Sequence, residues 1–331
     1  MSEARKPDVS VVIPCYNAEK WVSRAIESVL AQEGVSVEVL VVDDGSTDKS
    51  LEVLRACSGR IIWETGPNRG ACPTRNQGLA MARADYVMFL DADDYLERGT
   101  LLGLYTSLNQ NNADIAFCHV ASADVKGTYI YRQLPRLEPT TSFIADWISG
   151  SFVPPCGILW ASAFLRKIGS WNERLEKNQD GELVLRAVLS GATMTISTTG
   201  RAIYWIHDGP DRISNTVTKA KLDDSFQVLC SVRDALSNQI HVSPELKTAF
   251  SQATHSLQRL SLRHGLDEMA EEIRLYRQAE GWPPTEGTRA HRTASSLLGL
   301  ARKERLSKWL VQLKAQGFRF GPNVAMKDDR R

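Results

Sequence analysis

The sequence predicts an α/β protein whose helices flank a parallel sheet, followed by a helical C-terminal region. First, short β-branched segments alternate with segments of helical spacing in the N-terminal third of the chain, as in sheets with crossover helices. Second, β-type patterns fade beyond Ile213, where apolar residues recur at helical intervals. We therefore place an α/β domain at residues 1–215 and a helical region at residues 216–331.

The individual elements follow from apolar periodicity and from turn residues. We predict strands at residues 9–13, 37–42, 61–63, 86–90, 114–120, 193–197 and 202–206. We predict helices at residues 18–32, 49–56, 74–83, 101–108, 144–149, 182–190, 245–263, 267–279 and 295–315, and we leave 129–140 unassigned. Ser243 with Pro244 has the pattern of a helix start, with Ser as N-cap and Pro at the first position.

The overall composition is that of an ordinary globular protein. The 331 residues carry a net charge of +1, which gives no indication of a nucleic-acid partner. Six scattered cysteines without CxxC spacing argue against structural zinc and fit a reducing cytosol. The first eight residues lack a signal-peptide core, and no segment approaches the roughly 18 apolar residues of a membrane span. We expect a cytoplasmic protein, soluble or peripheral on the inner face of the membrane.

An acidic cluster at Asp91, Asp93 and Asp94 follows the apolar strand at residues 86–90. Clustered carboxylates offer hard oxygen ligands to a divalent cation that carries a phosphorylated substrate. The alternative is an acidic turn, because Asp is common in turns. Polar residues also follow the first two strands, and ligands of parallel sheets bind at the carboxyl ends of strands. We therefore predict that three strand ends line one cleft.

Seven short segments, in this order and spacing, resemble the family 2 glycosyltransferases, which have the GT-A fold. The segments are residues 9–17, 41–48, 68–78, 89–94, 169–173, 178–180 and 204–207. The resemblance implies a Rossmann-like mixed, mostly parallel sheet and inverting, metal-dependent transfer from a nucleotide-diphosphate sugar such as UDP-hexose. The implied acceptor is a hydroxyl of a glycan or a lipid-linked molecule in cell-surface polysaccharide synthesis. The tail after about residue 215 is not covered.

The nucleotide end of the site is assigned by this resemblance. Pro14, Tyr16 and Asn17 would line the nucleotide pocket, with the Tyr16 ring near the base. Asp43 would accept a hydrogen bond from the base, since a carboxylate can take a uracil imide proton. Asp44 is predicted beside it, with the ordering of a turn as its alternative role.

The donor site continues through residues on the third helix and the acidic cluster. Arg75 and Asn76 lie in the segment that the family places against the nucleotide, and Asp91 and Ala92 lie towards the ribose and sugar. Arg75 would pair with a phosphate, or else form a structural ion pair that orients the acidic cluster.

The predicted metal is Mn²⁺ or Mg²⁺, bridging the diphosphate oxygens. Asp93 is the predicted direct ligand, and Asp94 would help to orient Asp93 without binding the metal itself. His207 is predicted as a further metal or phosphate contact, with a structural histidine as the alternative.

The predicted catalytic base is Asp180, which matches the base of the family and would deprotonate the acceptor hydroxyl. A helix N-cap is a compatible second role for it. The family usually has Glu-Asp at this place, whereas this chain has Gln179 before Asp180. Gln179, Trp160 and Trp171 are predicted near the acceptor, with core positions equally open for the two tryptophans.

The basic tail at residues 291–331 carries ten Lys or Arg and three Asp or Glu. Its segment 295–316 would form a helix whose apolar face docks on anionic lipid. Packing of this face on neighbouring helices, or on a second subunit in a homodimer, is the alternative.

Two other functions are open at this point. One is a sugar nucleotidyltransferase, which usually has a Gly-rich, basic loop after the first strand that this chain lacks. The other is a non-catalytic nucleotide-sugar-binding protein, although both Asp93 and Asp180 are present. A dinucleotide oxidoreductase is disfavoured, because no GxGxxG follows the first strand.

Overall fold

The structure is a computed structural model that describes residues 6–207, 217–237, 242–284, 286 and 289–315. By internal contacts the chain divides into two compact units, Met1–Ala249 and Phe250–Arg331. The first unit therefore extends beyond residue 215, where the strand pattern of the sequence ends.

One mixed sheet forms the centre of the first unit. Its strands are β1 (Val9–Cys15), β2 (Val37–Asp43), β3 (Ile62–Thr65), β4 (Tyr86–Phe89), β5 (Tyr95–Leu96), β6 (Ile115–Asp124), β7 (Tyr129–Tyr131), β8 (Ile158–Ala161) and β9 (Met194–Ile206). They lie in the order β3-β2-β1-β4-β8-β6-β9-β5, and β7 pairs with β6. Strand β1 is parallel to β2 and β4, β2 to β3, and β6 to β9, whereas β4–β8, β6–β8, β5–β9 and β6–β7 are antiparallel. The predicted mixed α/β architecture is confirmed.

Helices pack on this sheet through apolar faces. They are α1 (Val22–Leu30), α2 (Ser50–Ala56), α3 (Ala71–Met81), α4 (Thr100–Asn111), α5 (Thr140–Ile148), α6 (Ser162–Lys167), α7 (Gln179–Leu189) and α8 (Lys219–Ser237). In the central strands Val12, Leu40 and Phe89 are fully buried, as expected of parallel strands covered on both faces. Because β1 lies between β2 and β4, the carboxyl ends of these three strands are adjacent.

The two strands predicted at 193–197 and 202–206 are one strand, β9, with a register shift opposite Cys118 and His119 of β6. The polar residues 198–200 interrupt the apolar pattern without ending the strand. Gly200 has φ +69°, and a Cβ atom there would lie 2.5 Å from Thr100, so glycine is required by both the backbone and the space.

The helices after α8 begin with α9 (Pro244–Arg263), where Ser243 Oγ accepts the Leu246 N–H at 3.2 Å. The predicted Ser-Pro helix start is therefore confirmed. The second unit continues with α10 (Asp267–Ala279), α11 (Arg289–Leu298) and α12 (Leu300–Ala315). The single helix predicted at 295–315 is wrong, because Gly299, with φ +77°, ends α11 before α12 begins.

The membrane prediction for the tail depends on side chains outside the described set, those of Trp309, Leu310 and Leu313. In the described part of the chain, no helix has the length and apolar character needed to cross a bilayer. The lipid-docking role of segment 295–316 and the homodimer alternative stay predictions.

Candidate active site

The loops after β1 and β2 are held together by hydrogen bonds. Asn17 Oδ1 accepts the Thr47 N–H at 2.8 Å, and the Asn17 N–H donates to Ser46 Oγ at 2.9 Å. Asn17 adopts φ +49°, a conformation that Asn tolerates better than most residues. Tyr16 is left 48% exposed beside Pro14, so its ring is available to stack on a planar base.

The two carboxylates at the end of β2 have different surroundings. Asp43 Oδ2 accepts the Thr65 hydroxyl at 2.6 Å, while its buried Oδ1 has no hydrogen-bond partner among the described residues. Asp44 accepts the main-chain N–H groups of Arg69 at 2.7 Å and Gly70 at 2.9 Å. Asp43 thus keeps an acceptor for a ligand N–H, whereas Asp44 orders the loop that leads into α3. The structure shows the turn-ordering role of Asp44, and its predicted nucleotide contact stays a prediction.

Arg75 on α3 joins the acidic cluster to the start of α7. Its Nη2 donates to Asp91 Oδ1 at 2.6 Å, and its Nη1 donates to Gln179 Oε1 at 3.1 Å. The guanidinium carbon lies 4.5 Å from the centre of the Trp171 ring, which covers it from solvent. Of the two roles open for Arg75, the structure shows the ion pair with the cluster.

Asp180 follows Gln179 in the first turn of α7 and is half-buried. Burial raises the pKa of the Asp180 carboxyl above its usual value, the nearby Arg75 opposes this rise, and Asp91 adds to it. A carboxylate with a raised pKa is a better proton acceptor for a hydroxyl group. The predicted base therefore lies beside the residue that holds Asp91.

Three residues predicted near the ligands make structural contacts. The Asn76 amide donates to Trp171 O at 3.0 Å and to Glu173 Oε1 at 2.8 Å, and it accepts the Trp171 N–H at 3.1 Å. These bonds use both N–H groups of the amide and one lone pair of its oxygen, and the predicted nucleotide contact of Asn76 stays a prediction. Trp171 is 3% exposed, edge-on to Phe89, and Trp160 is 2% exposed within β8. Both rings lie in the core, so neither presents a face to an acceptor.

The residues predicted to bind the metal lie in contact. Asp93, between β4 and β5, and His207, directly after β9, have their Oδ2 and Nε2 atoms 3.2 Å apart. Burial and the adjacent Asp91 raise the pKa of Asp93, an electrostatic setting that a bound cation would relieve. A carboxylate oxygen and an imidazole nitrogen fit Mn²⁺, and they fit Mg²⁺ less well because its ligands are oxygen atoms.

Asp94, the remaining buried carboxylate of the cluster, is held by a neighbouring strand. Asp94 is buried and accepts the Trp205 N–H at 2.9 Å, which ties the cluster to β9. Within the described residues no group of three or more His, Cys, Asp or Glu is arranged to hold a metal. Two protein ligands are the number that Mg²⁺-type sites commonly combine with substrate phosphates. Ala92 lies buried between Asp91 and Asp93, as the turn requires.

Sequence reasoning missed Trp21 and Arg24, at the start of α1. The Trp21 ring stacks on His207 at 5.2 Å with an interplanar angle of 25°. Arg24 Nη2 donates to the main-chain oxygen of Asp93 at 2.7 Å. The available signal was the spacing of Arg24, Ser28 and Gln32 by four residues beside the apolar face of α1, which was interpreted from its apolar spacing alone.

The mixed sheet and the acidic loop at its strand ends define a protein with the GT-A fold. Residues 10–168 match the family described as Glycosyl transferase family 2. This segment, just under half of the chain, is similar to the glycosyltransferases of that family.

Curated relatives match part of the chain. The succinoglycan biosynthesis protein ExoU of Rhizobium meliloti is 35% identical over 216 residues, covering 59% of this chain and 61% of ExoU. An uncharacterized glycosyltransferase of Haemophilus influenzae is 34% identical over 128 residues, covering 38% of this chain and 51% of its own length. The chain thus spans roughly half to three-fifths of these relatives.

Among solved structures, S. aureus TarS 1–349 superposes with a TM-score of 0.60 and 19% identity, covering 95% of this chain and 93% of that chain. The same protein in complex with UDP-GlcNAc gives a TM-score of 0.58. At this identity the likeness establishes the fold alone.

Proposed function

We propose that this chain transfers a sugar from a nucleotide-diphosphate sugar, with UDP as the nucleotide, to a hydroxyl group of a glycan or lipid-linked acceptor. The observation that carries the proposal is the Arg75 bridge, which brings Asp91 of the acidic cluster beside Gln179 and Asp180. A donor-binding carboxylate and a base on one cleft are what group transfer to a hydroxyl needs. The name of ExoU and the TarS complex with UDP-GlcNAc support a polysaccharide product and a UDP-sugar donor.

The proposed reaction proceeds by direct displacement. Asp180 takes the proton of the acceptor hydroxyl as that oxygen bonds to the anomeric carbon of the donor. The bond from this carbon to the diphosphate oxygen breaks on the opposite face, so the configuration inverts and UDP leaves. The transition state has the oxocarbenium character known from glycosidases. Tyr16 and Asp43 hold the base of the nucleotide at the other end of the cleft.

Asp93 and His207 are the residues proposed to hold Mn²⁺, with Mg²⁺ as the second choice. When bound, such a cation would neutralise charge on the diphosphate as it leaves. The contact between the two side chains, and the raised pKa of Asp93, support this assignment.

The test is a thermal-shift screen of UDP-sugars with and without Mn²⁺. A ligand at a hundred times its Kd stabilises the folded state by about 2.7 kcal/mol. We expect at least one UDP-sugar to raise the midpoint and Mn²⁺ to increase the effect. No shift with any UDP-sugar, against a clear shift with another nucleotide sugar, would contradict the choice of UDP.

Product analysis separates the competing functions. A glycosyltransferase releases UDP from the donor that binds, a nucleotidyltransferase makes UDP-sugar and pyrophosphate from UTP and a sugar 1-phosphate, and a binding protein does neither.

Flotation with anionic liposomes, comparing the full chain with a variant lacking 291–331, tests the proposed contact with the inner face of the membrane. Equal flotation of the two proteins would contradict that contact.

A further inference from the structure

A polar stripe runs along α1 and just beyond its end. Its members, Arg24, Ser28 and Gln32, are four residues apart and therefore share one side of the helix. The neighbouring face of α1 is apolar and fully buried, through Val22, Ala25, Ile26 and Val29. Polar side chains next to a buried face need hydrogen-bond partners, and here the partners are main-chain atoms.

Ser28 and Gln32 each donate one bond to a main-chain oxygen of α1 itself. The other partners lie in residues 93–101, the segment that begins within the acidic cluster. Arg24 Nη2 donates to the Asp93 oxygen at 2.7 Å, and Ser28 Oγ accepts the Leu96 N–H at 3.1 Å. Gln32 donates to the Glu97 oxygen at 2.9 Å and accepts the Leu101 N–H at 3.2 Å. The stripe thus fixes this segment at successive turns of one helix, and Arg24 fixes its first residue.

The Arg24 guanidinium is held in a box of aromatic rings. It lies 4.3 Å from the ring centre of Tyr95, 4.4 Å from that of Trp205 and 5.6 Å from that of Trp21. Rings on several sides leave a planar guanidinium few orientations, and the one adopted directs Nη2 at the Asp93 oxygen. The main-chain N–H of Trp205, whose ring forms part of the box, donates to Asp94 on the far side of the cluster.

His207 is held from the same place. Its ring stacks on Trp21, the residue that precedes α1, and its Nε2 meets Asp93 Oδ2 at 3.2 Å. The start of α1 therefore contacts both proposed metal ligands, Asp93 through its main-chain oxygen and His207 through its ring.

We propose that Arg24 is a positioning residue of the metal site, which fixes the main chain of Asp93 so that its carboxylate meets His207. The proposal rests on the proposed function, in that Asp93 and His207 hold the cation. Arg24 itself does not touch the metal in this assignment, because its bond is to the main-chain oxygen of Asp93 and not to the carboxylate.

Because Arg24 is positively charged, a positioning role and a purely electrostatic role predict opposite changes in metal affinity when it is removed. A nearby guanidinium repels a divalent cation, so on charge alone its removal would tighten metal binding. A positioning role predicts the opposite sign, because a displaced Asp93 loses its geometry with His207. Removal of groups that orient metal ligands typically costs 10–100-fold in affinity.

The experiment measures Mn²⁺ binding in the presence of UDP, from the EPR signal of free Mn²⁺, and UDP binding without metal by calorimetry. Arg24→Met keeps the bulk of the side chain in the aromatic box and removes the donor. We expect it to weaken Mn²⁺ binding by about 10–100-fold and to leave metal-free UDP binding unchanged. Arg24→Lys keeps the charge but not the planar geometry, and we expect several-fold weaker Mn²⁺ binding. Ser28→Ala is the matched control on the same stripe, expected to lower the melting temperature without changing Mn²⁺ affinity.

Unchanged or tighter Mn²⁺ binding by folded Arg24→Met would overturn the proposal, as would an equal loss of metal-free UDP binding. Should that variant fail to fold, wild-type Mn²⁺ affinity in Arg24→Lys would overturn it equally, because charge without geometry would then suffice. Measurements on the wild-type protein distinguish failure of the proposed metal site from failure of the proposed role of Arg24. No effect of Mn²⁺ on wild-type UDP binding refutes the metal site itself, whereas a wild-type effect retained by both Arg24 variants refutes only the role of Arg24.

Discussion

Gln179 accepts a hydrogen bond from the Arg75 guanidinium at 3.1 Å, one residue before Asp180. Arg75 is balanced on its other side by Asp91, at 2.6 Å. The family pattern has Glu where this chain has Gln179, so here the guanidinium faces one carboxylate and one neutral amide. More of its positive field is therefore left to act on Asp180, where it opposes the rise in pKa caused by burial.

Replacing Gln179 with Glu should raise the pKa of Asp180 further, because a new negative charge would lie beside it and would engage Arg75. A base must be ionised to accept a proton, so the acid limb of the activity profile should move to higher pH. The measurement is kcat for UDP release as a function of pH, with Gln179→Met as the neutral control that lacks the side-chain hydrogen bonds to Arg75 and Leu175. An acid limb at the wild-type position in the Glu variant would show that Gln179 does not tune the base.

Replacing Asp180 with Asn should remove transfer while preserving donor binding. The amide keeps the size and the hydrogen-bonding ability of the side chain but cannot take the hydroxyl proton. General-base catalysis typically contributes 10²–10⁴-fold, and we expect a loss of about that size in kcat. Donor affinity, measured by calorimetry, should stay within about twofold, since the proposed base acts on the acceptor. Near-normal turnover would place the base elsewhere in the cleft.

Much of the sheet could be predicted because its core strands are short, apolar and bounded by polar residues. The chain at 86–90 is an example, where Phe89 and Leu90 are fully buried directly before Asp91. Strand β9 was divided in the prediction because residues 198–200 are polar, and only its pairing with β6 holds it in one piece. At such positions the pairing with a neighbouring strand determines the structure more strongly than the strand propensity of the residues.

The site was predictable where function depends on residue type and not where it depends on distant contacts. The Asp93 and His207 pair was predicted from the family resemblance, and the two side chains meet in the structure. The roles of Asn76 and Arg24 could not be predicted, because their partners lie 95 and 69 residues away in sequence. An amide or guanidinium that holds main chain looks, in sequence, like one that holds a ligand.

Replacing Asp93 with Ala should abolish the effect of Mn²⁺ on UDP binding. The variant removes one of two proposed protein ligands, so the UDP affinity measured with Mn²⁺ should fall to the value measured without it. Asp85→Ala is a suitable control, because Asp85 is exposed and pairs only with the surface residue Lys6 in the described contacts. Metal-enhanced UDP binding that survives in Asp93→Ala would mean that another group holds the cation.

Replacing Glu304 with Gln should destabilise the second unit. Glu304 is fully buried and accepts bonds from Arg259 at 2.9 Å, Arg263 at 2.5 Å and Lys303 at 3.0 Å. The variant leaves these three cations without their shared counter-charge, and breaking a buried pair in this way costs about 3–5 kcal/mol. Urea unfolding monitored by circular dichroism should show the loss. The exposed pair of Glu271 with Arg274 is the control, where Glu271→Gln should cause a much smaller loss of stability.

Replacing Glu304 with Gln should also change how the free energy of unfolding depends on pH. Burial by itself raises the pKa of Glu304, but the bond from Lys303 and the charges of Arg259 and Arg263 lower it overall. A carboxyl whose folded pKa is depressed contributes stability above its unfolded pKa and loses that contribution as the pH falls through the folded value. Wild-type stability should therefore fall on acidification below the ordinary Glu value of 4.5 more steeply than that of Glu304→Gln. Parallel pH dependence of the two proteins would mean that Glu304 does not supply this charge-dependent stability.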